Sequence, residues 1–175
     1  MARNVHVRIL PGCRGLIRVP ELRRIASGVL DAENVARDVE VEVVLADSAT
    51  VRELNRLYRG RDEPTDVLSF ATADYGEVEA TFVDDEPRSE TPVFVEAPDE
   101  APSLGEVIVC LPVAVAQAEA RGHPVAGEIA HLLVHGLLHL GGHDHELDDD
   151  EAKMKSREDE LLAALGFTGQ YEHGH

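Results

Sequence analysis

Val5, Val7 and Ile9 alternate with His6 and Arg8, the two-residue period of a strand with one buried face. Pro20 and Glu21 then open a helix whose apolar stripe is Leu22, Ile25, Ala26, Val29 and Leu30. Residues 39–45 alternate valine with glutamate before closing on Val43, Val44 and Leu45, which predicts a second strand with one wet face. Asp47 or Ser48 is placed to cap a helix that runs to about Tyr58, with Val51, Leu54 and Leu57 inward. A short strand is predicted at 66–70, and the run at 105–110, apolar apart from Glu106, suits a strand in a sheet interior. Pro112 opens an alanine-rich helix that Gly122 stops, and Pro124 opens a further helix over 125–140. Val125, Ile129, Leu132, Leu133, Leu137 and Leu138 surround that last helix, so it should be the central buried element. A final helix at 148–165 starts with acids that suit its dipole, carries Met154, Leu161, Leu162 and Leu165 on one stripe, and stops at Gly166. The elements follow no strict strand–helix–strand rhythm. They predict an α+β fold or α/β sandwich, with a single mixed β-sheet packed by helices around a central histidine-bearing helix.

Residues 72–103 break the pattern. They hold Pro87, Pro92, Pro98 and Pro102 and ten acids against Arg88 alone, and read as an acidic insertion loop. Only 91–96 suggests a short strand or hairpin arm. Residues 167–175, ending His173-Gly174-His175, read as a flexible tail. A chain of 175 residues fits one domain, 1–175, and 43% hydrophobic with 29% charged residues fits a soluble globular protein. There is no apolar run long enough for a membrane span and no signal-peptide core after Met1, and Cys13 and Cys110 are too few for a disulfide framework. The expected compartment is the cytoplasm, without a membrane partner. A net charge of −18 weighs against a polyanionic partner, but its distribution softens the objection. Residues 1–62 hold eleven arginines against nine acids, so a basic face remains available there.

Five of the nine histidines fall between His131 and His145. On a helix, His135 and His139 lie one turn apart on one face, the spacing at which two imidazoles converge on one metal ion. Gly141 and Gly142 can end the helix in a left-handed turn that swings His145 back as a third ligand. Three nitrogens on a tetrahedral zinc leave one position for water, the layout of a catalytic site. The same spacing occurs in metzincin proteases, which place a glutamate base directly after the first histidine. Here that position is Gly136, and a peptidase would lack its usual proton acceptor. His131, one turn further back, suits a supporting or packing role better than a fourth ligand. Asp144 is suited to accept from a ligand imidazole or to act as a weak general base, and equally to cap the acidic helix that follows.

A second cluster surrounds a turn. Arg56, Arg59 and Arg61 come before it, and Thr65, Asp66 and Ser69 after it; Arg59 precedes Gly60, where a helix would end, and arginine forks pair well with phosphate oxygens. Several stretches together resemble the YbeY family of bacterial rRNA maturation factors. They are Asn55, Tyr58-Arg59, the run 64–70 (Pro-Thr-Asp-Val-Leu-Ser-Phe), the run 104–110, and His135-Gly136-Leu137-Leu138-His139 through Gly141-Gly142-His143-Asp144-His145. The resemblance spans residue 50 to Gly166 and, weakly, the N-terminal elements.

The resemblance implies a mixed sheet packed by helices on a zinc-protease-like spatial plan. It implies one Zn2+ per chain held by His135, His139 and His145, with Arg59 near the metal and associated with activity. The implied activity is that of a zinc-dependent endoribonuclease acting on single-stranded RNA. Its expected place is in finishing the 3′ end of small-subunit ribosomal RNA and in ribosome quality control, among ribosomal proteins or assembly factors and without DNA. His143 stands where the family usually has an aromatic such as Tyr, so both His143 and His145 are placed to supply the third nitrogen. The acidic 72–103 segment is longer than usual. Arg59, His135 and His139 are the expected catalytic residues, and no general base stands out. Two other readings are a ribosome-assembly binding factor with a structural zinc and a metallohydrolase acting on peptides.

Overall fold

The computed structural model describes residues 3–72, 102–141 and 148–167, with backbone alone at 148–150. Its elements are β1 (Val5–Ile9), α1 (Val19–Ala32), β2 (Glu40–Ala46), α2 (Ser48–Arg59), β3 (Val67–Ala71), β4 (Ser103–Cys110), α3 (Leu111–Arg121), α4 (Val125–Leu140) and α5 (Asp148–Ala164). Most of the 72–103 segment, the suggested strand at 91–96 and the tail beyond Phe167 lie outside the described residues.

The four strands form one sheet in the order β1-β2-β4-β3. β1, β2 and β4 run parallel, and β3 lies antiparallel on the far edge. Four strands and five helices among the described residues make the α+β fold with a mixed sheet that the pattern predicts. β2 and β4 are interior strands, which explains their apolar runs, since each sends residues to two cores. Val41, Val43, Leu45, Val107 and Val109 face the larger core, with α1, α4 and α5. Val44, Ala46, Ile108 and Cys110 face a smaller core that also holds Val51 of α2 and Leu68 and Phe70 of β3.

α2 departs from expectation in one respect. Its inward residues are Val51, Leu54, Asn55 and Tyr58, spaced as one helical face, while Leu57, half-buried like Leu54 and Tyr58, is not packed against the smaller core. Asn55 takes the buried place at 4% exposure because its side-chain amide donates to the Glu63 carbonyl at 2.8 Å, tying the turn after the helix to its last coil. Tyr58 packs on Phe70 with ring centroids 5.0 Å apart. The helix starts at Asp47, whose side chain accepts from the Thr50 backbone N–H at 2.7 Å. It ends at Gly60, in the left-handed conformation at φ 70°.

α4 lies in the middle of the molecule, against β3, β4, α1, α3 and α5. Over residues 127–140 every residue is buried except His131, His135 and His139. These three follow one another at intervals of four, so a single stripe of the helix remains open. Glu128, wholly buried on the same helix, is held by Arg121 at 3.0 Å and lies 3.2 Å from His123 Nε2, which locks the turn between α3 and α4.

Asp47→Ala should lower stability by about 1 kcal/mol near neutral pH, measured by urea denaturation. The Thr50 N–H holds the Asp47 carboxyl below its ordinary pKa. The capping contribution is therefore complete above about pH 4 and fades as pH falls through the depressed native value. Wild type and variant should converge in acid.

Candidate active site

The face of α4 that opens to solvent carries its chemistry. His135 Nε2 and His139 Nε2 are 3.1 Å apart, with ring centroids at 4.6 Å and planes at 71°. Two nitrogens bound to one tetrahedral zinc at the usual bond length would stand about 3.3 Å apart. The pair therefore fits a shared cation with little movement. Among the described residues no group of three or more His, Cys, Asp or Glu completes a metal cluster. His143, Asp144 and His145 lie outside the described residues, so the expected third ligand does too.

Glu158, on α5, supports the pair from behind. One of its carboxylate oxygens meets Nδ1 of His135, and the other lies 3.4 Å from Nε2 of His131. Its side chain is only 7% exposed. Burial alone would push this carboxyl up; hydrogen bonds from His131 and His135, with their charge when protonated, outweigh it and bring the group down to about 2. His131 and His135 therefore share one carboxylate. Glu158 is an acceptor for His135 that sequence reasoning missed; Asp144, the acceptor suggested by the sequence, lies outside the described residues. A signal was present, because Glu158 falls on the apolar stripe of Met154, Leu161 and Leu162, where an acid needs a buried partner.

A cleft of about 630 Å³ opens in front of the histidines, lined among others by Arg59, Arg61, Thr65, Ser69, His135 and His139. The two clusters, some 70 residues apart in the chain, therefore share one wall-to-wall space. Arg59 is exposed but anchored. Its guanidinium donates to the Ser69 carbonyl at 3.0 Å and lies over the Phe70 ring, 5.4 Å from its centre. The Ser69 hydroxyl in turn donates to the Gly136 carbonyl at 3.1 Å. Arginine and histidine walls are joined through that one residue. Arg52 and Arg56 are instead occupied by Asp62 and Glu53 on the outer surface.

Gly136 is where a metzincin would carry its glutamate, and here it is pressed against the sheet. A Cβ at this position would lie 2.6 Å from Val107 Cγ1 and 3.0 Å from Ser69 Oγ. A glutamate base has no room there.

The histidine pair, with Glu158 behind it, shares this open cleft with Arg59 and Arg61, and Glu63 and Asp66 also line it. Residues 17–166 match the family Endoribonuclease YbeY. Proteins named Endoribonuclease YbeY are similar over most of their length. That of Moorella thermoacetica is 41% identical over 83% of this chain and 85% of its own. That of a Roseiflexus species is 40% identical over 95% of both chains, and that of Dehalococcoides mccartyi 43% identical over 89% and 86%. The solution structure of TM1509 from Thermotoga maritima shares the fold, with a TM-score of 0.53, 24% identity, and coverage of 98% of this chain and 99% of that one. The chain belongs to the YbeY family of endoribonucleases, hydrolases that act on RNA phosphodiester bonds.

Gly136→Ala should cost about 1–3 kcal/mol of stability, since the added methyl must displace Val107 or Ser69. A urea titration followed by circular dichroism would measure it, and an unchanged midpoint would contradict the close contact.

Proposed function

We propose that this protein is a zinc-dependent, single-strand-specific endoribonuclease that trims the 3′ end of small-subunit ribosomal RNA and acts in ribosome quality control. The observation that carries the reading is the shared cleft, which faces the converging Nε2 atoms of His135 and His139 with Arg59. In this reading His135, His139 and His145 hold one Zn2+ per chain. When bound, the ion supplies a Lewis acid and a water of lowered pKa. Neutral imidazoles leave its full charge in place, which favours an anionic ester.

The side chains of the chain do the rest. Arg59, fixed by Ser69 and Phe70, is oriented before substrate arrives and offers a planar fork to the nonbridging oxygens of a phosphodiester. Charge that builds on those oxygens in the transition state meets a guanidinium that need not reorganise. Arg61, exposed on the same rim, extends the positive wall toward a neighbouring phosphate. An open cleft suits a flexible single strand, whose backbone can bend toward the floor. The expected site of action is the cytoplasm, alongside ribosomal proteins or assembly factors; no helix among the described residues is long and apolar enough to cross a membrane.

Purified protein should cleave unstructured RNA and leave unstructured peptides intact. A chelator should abolish cleavage, and added Zn2+ should restore it. Arg59→Glu should lower kcat by at least about a hundredfold while zinc content stays at one per chain. Cleavage that persists after complete metal removal would refute the metal assignment, and an Arg59→Glu enzyme at full rate would refute the role of the arginine.

A further inference from the structure

Glu158 does more than fill a gap behind the histidines. It comes from a different helix, 23 residues beyond His135 in the chain, and each carboxylate oxygen addresses a different imidazole of α4. A carboxylate facing a ring nitrogen at hydrogen-bond distance requires a proton on that nitrogen. At His135 the proton must then be on Nδ1. A neutral ring protonated there has a bare lone pair on Nε2, and that atom points at Nε2 of His139, 3.1 Å away. Two bare lone pairs do not approach so closely, so with both rings neutral His139 carries its proton on Nε2 and donates it to His135.

We infer that Glu158 is a positioning residue that holds His135 in the Nδ1–H form, and that the metal-free pair is closed by a single proton on His139 Nε2 which a bound cation replaces. His135 is thus set for ligation before metal arrives. His139 must move its proton to Nδ1 when metal binds. His131, which lies against the second oxygen of Glu158, keeps that carboxylate from rotating away. The inference rests on the proposed ligation by His135 and His139. Its tautomer part concerns the metal-free protein and stands or falls on its own.

The test uses the full chain labelled with 15N-histidine. Long-range 1H–15N correlation spectra of the metal-free wild type near pH 7.5 should show His135 protonated at Nδ1 and His139 at Nε2. Added Zn2+ should leave the His135 form unchanged and switch His139 to Nδ1–H. Competition with a chromophoric chelator should show zinc binding about ten- to a hundredfold weaker in Glu158→Gln, and weakened by a smaller factor in His131→Phe. Circular dichroism and a folded NMR spectrum establish that each variant retains its structure. A wild-type His135 with its proton on Nε2 would overturn the inference, without any variant having to fold. A folded Glu158→Gln protein with wild-type zinc affinity would overturn it as well. Failure of the wild type to bind zinc would instead refute the proposed metal, while the metal-free spectra would still decide the part played by Glu158.

Discussion

The enclosure of α4 is the constraint from which the rest of the site follows. A helix packed by a sheet and three other helices can tolerate polar side chains only where a partner or solvent meets them. Here that condition is satisfied along one stripe, and three histidines occupy it. The same enclosure explains the two buried acids on α4 and α5. Glu128 and Glu158 are buried only because Arg121 and His123 in one case, and His131 and His135 in the other, lie against them. Chemistry and packing therefore compete for the same few positions, and charge enters the interior only in paired form.

Most of the architecture was readable from periodicity. β4 announced itself as an interior strand by its apolar run, and α4 by being apolar nearly all round; β2, whose alternating valines and glutamates predict one wet face, is an interior strand as well. The histidine spacing and the arginine-rich turn were equally plain. Their meeting in one cleft was not, because it depends on β3 pairing antiparallel with β4 and bringing Ser69 under Gly136. Leu57 misled because a leucine outranks an asparagine on any hydrophobic scale. The turn after α2 needed a hydrogen-bond donor facing inward, and Asn55 supplied it. Glu158 was missed for a related reason: a motif centred on one helix does not point to its partner on another.

Gly136 shows how a shared histidine spacing can accompany a different neighbour. In a peptidase of similar spacing that position carries a base. Here the helix approaches the sheet so closely that the position has no side chain at all, and its carbonyl receives the Ser69 hydroxyl. Close approach brings the histidines near the arginine wall, and the cost is the loss of a built-in carboxylate directly after His135. The outer arginines of α2, Arg52 and Arg56, are paired with Asp62 and Glu53, whereas Arg59 and Arg61 line the cleft together with Glu63 and Asp66.

Ser69 holds the two walls together with two different parts of itself, and they differ in how they respond to mutation. Its hydroxyl can be lost in a single codon change. Its carbonyl belongs to the main chain and is present whatever residue stands at that position. The grip on Arg59 is therefore insulated from drift at residue 69, whereas the link to α4 is not. Lineages that replace this serine would keep the arginine in place and give up only the tether between strand and helix.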